Sequence, residues 1–186
     1  MSASYGTTLK ARRLLFLAIL GLILSVERVF ADEPASWSDF KVQSKNGEYT
    51  ADIRLNSEVE MRSQGGYSLS VYPTANPSKI LWSSPYRYDG YSWGNLSDDG
   101  KAFVYVNFWY DDNSVVFIYR EGQSVKEITG REFAVDPTKM QATVSNRLWL
   151  ADEESNVRFE GSDVLVIKTR DDKIHTIDLL IGKIVP

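Results

Sequence analysis

The pattern of apolar and polar residues predicts many short β-strands, which follow an apolar run near the start of the chain. Residues 67–72 (YSLSVY) alternate bulky with small polar side chains, as a strand with one buried face does. Residues 102–109 and 114–119 are dense in β-branched and aromatic side chains and predict central strands that are apolar on both faces. The other predicted strands are residues 39–44, 48–55, 79–82, 124–129, 147–151, 163–169 and 173–180.

Turn signals separate these segments, many of them at intervals near ten residues. Glycine, Asn and Asp occur there because tight hairpins need positive φ at their central residues. The clearest turns are Asn46-Gly47, Asp98-Asp99-Gly100, Asp112-Asn113, Glu160-Gly161 and Asp171-Asp172. This spacing predicts a single all-β domain over residues 32–186, an antiparallel meander built as propeller-like partial blades or as a two-sheet sandwich.

One segment departs from the strand pattern. Residues 136–146 (DPTKMQATVSN) begin with Asp136, which can cap a helix, and Pro137, which suits the first helical position. The residues that follow favour helix by intrinsic propensity. The sequence therefore predicts one short helix near residues 136–146.

The start of the chain has the three parts of a secretory signal peptide. Lys10, Arg12 and Arg13 precede an apolar run over residues 14–26, and the triplet ending at Ala31 suits a signal peptidase. The apolar run is shorter than the roughly 20 residues that cross a bilayer. We therefore expect a signal helix in residues 1–31 that is cleaved after Ala31, with an uncleaved N-terminal anchor as the alternative.

Composition removes several classes of function. The 186 residues include 21 basic and 25 acidic side chains, one histidine and no cysteine, with a formal net charge of −4. Disulfide frameworks, thiol nucleophiles, cysteine-based metal sites and multi-histidine clusters are therefore excluded. The acidic balance argues against a nucleic-acid partner, and no phosphate-binding or dinucleotide-binding fingerprint is present. We expect no cofactor and no metal.

Several turns and hairpins resemble the repeats of β-propellers. Residues 97–101 (SDDGK), followed by AFVYV, are similar to the turn and strand that open blades in TolB-like propellers, and residues 44–49 are a looser copy. Residues 114–122 resemble the inner hairpin of a blade, and residues 174–184 resemble its closing hairpin. The order of these pieces is also similar to that of small exported bacterial β-proteins of unknown function. A blade takes about 40–45 residues and a propeller has at least four. The resemblance therefore implies an incomplete ring, which could close by pairing with a second copy.

Aromatic side chains crowd the segment between residues 82 and 93, and more follow one predicted strand later. Aromatics on a loop offer large rigid faces that stack on sugar rings or on a protein partner. The same residues would equally fill a core between sheets, so both alternatives stay open. The predicted binding residues are Tyr86, Tyr88, Tyr91, Trp93 and Trp109.

No catalytic residue is predicted. His175 is the only imidazole, and no nucleophile elbow accompanies it, so a structural role is favoured over that of a base. The acidic turns around Asp98 and Asp111 lack the spacing of an EF-hand and suit hairpin tips without an ion. A hydrolase that uses Asp/Glu pairs such as these remains the enzymatic alternative.

The sequence thus predicts an exported protein, periplasmic or extracellular, with no membrane span after cleavage. Its predicted function is that of a non-catalytic binding or structural module for a protein or a glycan. A third alternative is a subunit of a larger envelope assembly, which would expose an unpaired strand at residues 39–44 or at the C-terminus.

Overall fold

The computed structural model describes residues 38–56, 66–87, 91–121, 123, 125–152 and 155–186. The expected signal peptide over residues 1–31 lies outside the described residues.

Three four-stranded antiparallel sheets follow one another along the described chain. In each sheet every strand pairs with the next in sequence, so each sheet is a simple meander. The first sheet consists of β1 (Phe40–Gln43), β2 (Tyr49–Leu55), β3 (Tyr67–Pro73) and β4 (Trp82–Tyr86). The second consists of β5 (Asn95–Leu96), β6 (Ala102–Val106), β7 (Ser114–Arg120) and β8 (Lys126–Thr129). The third consists of β11 (Val157–Phe159), β12 (Val164–Lys168), β13 (Ile174–Asp178) and β14 (Lys183–Val185). A two-stranded hairpin, β9 (Gln141–Ala142) and β10 (Arg147–Leu148), lies between the second and third sheets in sequence. The predicted all-β class is confirmed.

The second sheet is packed between the other two. Phe103 and Tyr105 of β6 are buried together with Ile53 and Leu69 of the first sheet. The intervening Val104 belongs to a second cluster, which contains residues of the third sheet. Successive residues of a strand point to opposite faces, so β6 supplies one apolar row to each neighbour. All five residues of β6 are buried, which confirms the prediction of a central strand apolar on both faces.

The first strands of the three sheets meet at one edge of this stack. β5 contacts β1 and β2 of the first sheet and also β11 of the third. β5 pairs only with β6 within its own sheet, through Asn95 with Val104 and Leu96 with Phe103. The first strands of the three sheets, β1, β5 and β11, therefore lie close together, and the candidate binding site lies between them.

The short helix is not where the sequence predicted it. Helix α1 covers Gly130–Phe133, directly after β8, and the Glu132 carboxylate accepts hydrogen bonds from the amide and the hydroxyl of Thr129, both at 2.8 Å. Residues 136–146 instead form one turn, in which the Asp136 carboxylate accepts from the amide and hydroxyl of Thr138, followed by β9. The prediction of a helix there was wrong. Pairing with β10, which precedes the fully buried Trp149, outweighs the modest helix propensity of this segment.

Two further strand predictions need correction. Residues 79–81 are not a strand, because β4 begins at Trp82 and continues to Tyr86. The strand predicted over residues 102–109 ends at Val106, and Trp109 forms only an isolated bridge with Leu148. At the C-terminal end, β14 pairs with β13.

Candidate binding site at the first strands

A cavity of about 510 Å³ opens where the first strands meet. Each sheet contributes its first strand and the turn that follows it. Polar lining side chains come from all three sheets and their flanking turns: Gln43 and Lys45, Asn95 and Asp98, and Ser155, Arg158 and Ser162. Leu96 and Phe159 supply apolar surface to the same cavity. The lining therefore combines amide, hydroxyl and charged groups of both signs with some apolar area.

The turn after β1 is built by a serine and an asparagine. The Ser44 amide donates to the Tyr49 carbonyl at 3.0 Å, and the Ser44 hydroxyl donates to Asn46 Oδ1 at 2.7 Å. Asn46 Oδ1 also accepts from the Glu48 amide at 3.0 Å. Gly47 closes the turn with φ +74°, a conformation that L side chains rarely adopt.

The turn after β5 repeats this arrangement atom for atom. The Ser97 amide donates to the Ala102 carbonyl at 2.8 Å, and the Ser97 hydroxyl donates to Asp99 Oδ1 at 2.8 Å. Asp99 Oδ1 also accepts from the Lys101 amide at 3.1 Å, and Gly100 has φ +70°. Residues 44–49 and 97–102 are thus the same turn used in two successive sheets, as their sequence similarity indicated.

Hydrogen bonds link these turns around the mouth of the cavity. The Asn46 amide donates to Asp98 Oδ1 at 2.9 Å, and the Asn46 side-chain amide donates to the Asp98 carbonyl at 3.0 Å. The Ser162 hydroxyl, from the turn after β11, donates to the Asp99 carboxylate. The three sheets are therefore held at fixed spacing on the side where the cavity opens.

The Asp99 carboxylate is kept ionised by this network. Partial burial raises the pKa of Asp99, but hydrogen bonds from the Ser97 hydroxyl, the Lys101 amide and the Ser162 hydroxyl together lower it below its ordinary value. An acid held ionised in this way accepts hydrogen bonds well and is a poor proton donor. Asp99 therefore stabilises the turns and is not suited to act as a general acid.

The predicted aromatic residues do not form one exposed surface. Tyr86 is only 1% exposed, and its ring packs against Phe40, Phe103 and Tyr119 between the first and second sheets. For Tyr86 the core alternative holds, because a buried ring offers no face to a partner. Tyr88 lies outside the described residues.

Tyr91, Trp93 and Trp109 are half-buried and belong to one aromatic cluster. The Trp109 indole donates to the Tyr91 hydroxyl at 2.9 Å, and Phe108 contacts the rings of Tyr91, Trp93 and Trp109. Trp93 immediately precedes Gly94, where an added Cβ would lie 2.2 Å from the Phe103 ring. The cluster therefore anchors the segment that leads into β5, and Gly94 permits the close approach that places β5 at the cavity.

His175 lies on the inner face of the third sheet, beside Phe133 and Thr169. Its ring contacts the Phe133 ring with centroids 5.1 Å apart, and Nε2 is 3.4 Å from the Thr169 hydroxyl. Burial lowers the pKa of His175, the Asp171 charge partly restores it, and Lys173 lowers it further. Thr169 is fully buried and its hydroxyl already donates to Asp171. This geometry supports the structural role expected for His175.

The acidic turn residues are engaged by the turns themselves. Asp98 accepts from the Asn46 amide, and Asp111 Oδ1 accepts from both the backbone and side-chain amides of Asn113. Within the described ranges, no group of three or more His, Cys, Asp or Glu side chains is placed to hold a metal ion. In the same ranges, no helix has the length and apolar character needed to cross a bilayer.

Apart from Asp98, which the hydrolase alternative named, sequence reasoning missed the polar residues of the cavity. Asn95 and Arg158 lie on β5 and β11, strands of two and three residues that no periodicity can reveal. The available signal was the turn after each: a hairpin turn such as 97–100 or 160–161 requires a strand on both sides.

No protein-family model matches the chain, and no curated protein sequence matches it. The function is therefore inferred from the geometry of the site.

Proposed function

We propose that this protein is an exported, non-catalytic binding module built from propeller-like, TolB-like blades. Its partner is a protein or a glycan, which binds in the cavity at the first strands. The expected signal sequence supports export to the periplasm or the cell exterior. The repeated turns after β1 and β5 support the propeller-like assignment.

The cavity lined by three consecutive first strands is the observation that carries this proposal. Its lining comes from residues far apart in sequence, such as Lys45, Asn95 and Arg158, and hydrogen-bonded turns hold them in place. Preformed concave sites with a few fixed polar groups are typical of ligand binding, because such a site loses little conformational entropy when the ligand binds.

The chemistry of the lining favours recognition over turnover. Amide and hydroxyl groups such as those of Gln43, Asn95 and Ser162 both donate and accept hydrogen bonds, as sugar hydroxyls and peptide groups require. The carboxylates with displaced pKa values in the described chain, those of Asp52, Asp99, Asp136 and Asp171, all have lowered values. A glycoside hydrolase needs one carboxylic acid with a raised pKa.

A glycan array read for both binding and product release tests the proposal. We expect saturable binding without turnover, weakened at least about tenfold by Asn95→Ala or Arg158→Ala, the loss expected for one or two buried hydrogen bonds. Lys139→Ala, at an exposed position outside the cavity, is the matched control. A pull-down with the same variants tests for a protein partner.

Two results would contradict the proposal. Released product that depends on Asp98 or Asp111 would favour the hydrolase alternative. Binding that is unchanged in both cavity variants, but lost on substitution of Tyr91 or Trp109, would move the site to the aromatic cluster. N-terminal sequencing of the exported protein tests localisation separately, and a mature terminus at Asp32 is expected.

A further inference from the structure

The first sheet carries a polar cluster on the face turned away from the second sheet. Asp52 of β2 lies at its centre, with a side chain only 9% exposed. Lys41 Nζ is 3.3 Å from Asp52 Oδ2, and Arg54 binds the same carboxylate through Nε at 3.0 Å and Nη2 at 2.9 Å. The Tyr72 hydroxyl donates to Asp52 Oδ2 at 3.3 Å and accepts from Lys41 at 3.1 Å.

Two cations share one carboxylate in this cluster, and the Asp39 carboxylate attracts Arg54 from outside it. The side chains of Lys41 and Arg54 are 52% and 60% exposed, so both cationic heads also face the solvent. Burial raises the pKa of Asp52, but the hydrogen bonds from Arg54 and Lys41 outweigh it and lower the value. Asp52 therefore stays ionised and holds both cations in fixed positions.

A cavity of about 330 Å³ lies directly over this cluster. Ser68 and Ser70 line it beside the cations. The Ser68 hydroxyl donates to Asn56 Oδ1, whereas the Ser70 hydroxyl can accept from Ser83 and so can donate to a ligand. Pro77 and Ile80, from the loop between β3 and β4, line it as well, and Ile80 is 50% exposed. The cavity thus has a cationic, hydroxyl-rich floor and an apolar wall.

We propose that this cavity binds a small organic oxyanion, a phosphate monoester on an apolar body, separately from the ligand of the first strands. The oxyanion accepts hydrogen bonds from Lys41, Arg54 and a serine hydroxyl, while the apolar body lies against Pro77 and Ile80. Arg and Lys donors to oxyanions form charge-assisted hydrogen bonds, which are stronger than neutral ones. The apolar wall adds affinity in proportion to the area it removes from water.

Titration calorimetry and backbone-amide NMR with phenyl phosphate, inorganic phosphate and phenol test this site. We expect saturable binding of phenyl phosphate, with weaker binding of inorganic phosphate and of phenol, because each lacks one half of the ligand. The shifted amides should be those of residues on β2 and β3. Phenyl phosphate that binds no better than inorganic phosphate would overturn the role of the apolar wall.

Variants separate a binding role from a structural one. Lys41→Gln and Arg54→Gln should each weaken phenyl phosphate binding about tenfold, the loss expected for one charge-assisted hydrogen bond. Asp52→Asn should also weaken binding, although it makes the cluster more positive, because it releases the two cations that the carboxylate holds in place. Tighter binding by this variant would contradict the proposal that the fixed positions of the cations are recognised.

Matched controls use exposed residues elsewhere on the chain. Lys139→Gln removes a cation outside the cluster and should leave binding unchanged. Ile80→Ser should weaken phenyl phosphate but not inorganic phosphate, whereas Val144→Ser, at a residue 69% exposed, should affect neither. Absence of saturable binding, or affinity unchanged in both Lys41→Gln and Arg54→Gln, would overturn the proposal.

Discussion

At the scale of single residues, the two repeated turns differ in the space around their glycines. Gly47 and Gly100 have similar positive φ values, +74° and +70°. A Cβ at Gly47 would meet nothing within 4 Å, whereas at Gly100 it would lie 2.6 Å from Cδ1 and 2.8 Å from Cγ of Tyr49. Both turns therefore need a residue that adopts positive φ, but only at Gly100 does the Tyr49 ring also leave no room for a Cβ atom.

This difference predicts unequal costs for the same substitution. Gly47→Ala should lower the free energy of unfolding by about 1 kcal/mol, the cost of placing an L residue in the left-handed region. Gly100→Ala should cost about 2 to 4 kcal/mol, because the displaced Tyr49 ring adds an overpacking penalty. Urea denaturation of both variants measures the difference. Equal losses would show that Tyr49 moves aside freely and would contradict the packing argument.

The single histidine gives a prediction for the dependence of stability on pH. Burial lowers the pKa of His175 in the folded protein below its ordinary value of 6.5. As the pH falls through 6.5, the unfolded chain takes up the proton first, so the folded state loses stability. The stability that the neutral ring contributes is therefore present above pH 6.5 and is lost as the pH falls through the folded-state pKa.

His175→Gln should remove this part of the pH dependence. Denaturant unfolding between pH 7.5 and about pH 5, the window around the ordinary histidine pKa, should give a smaller loss of stability for the variant than for the unmodified protein. The chain has one histidine, so no other imidazole titrates there. If stability fell equally with pH in the two proteins, burial would not lower the pKa of His175, and the prediction would be wrong.

At the scale of elements, strong local patterns were predictable and short elements were not. The runs that became β6 and β7 are apolar at successive positions, and a strand buried on both faces is the simplest structure that accommodates such a run. β5 has only two residues and is held by pairing with β6, so its existence depends on the neighbour more than on its own composition. The helix was misplaced because hairpin pairing between β9 and β10 outweighs the helix propensity of residues 136–146.

The binding cavity could not be predicted because its parts are distant in sequence. Lys45, Asn95 and Arg158 are brought together only by the stacking of three sheets, which no local pattern encodes. Aromatic density indicated Tyr86 as a binding residue, but the stacking of the first two sheets needs large side chains between them, and Tyr86 is one of those. Composition alone does not distinguish an aromatic core from an aromatic surface.

At the scale of the whole molecule, the first and third sheets carry ion pairs on the faces turned away from the second sheet. On the first sheet, Asp52 binds Lys41 and Arg54. On the third sheet, strand alternation places Arg158, which is paired with Glu160 at 2.8 Å, on the face opposite the buried Leu165 and Ile167. Closing a ring with a second copy would press these two faces together.

Such a contact would remove ionised groups from water. Removing the ion pairs of Asp52 from water costs more than their attraction returns unless new partners compensate. We therefore predict that the protein is a monomer in solution and that its stack of sheets remains open. Light scattering is the direct measurement.

Ionic strength provides the control for this prediction. Because the cost is one of desolvation and not of repulsion between like charges, the protein should stay monomeric at low and at high salt. A stable dimer at either ionic strength would contradict the argument. It would also restore the alternative in which a second copy completes the ring, and the cavity at the first strands would then be shared between two chains.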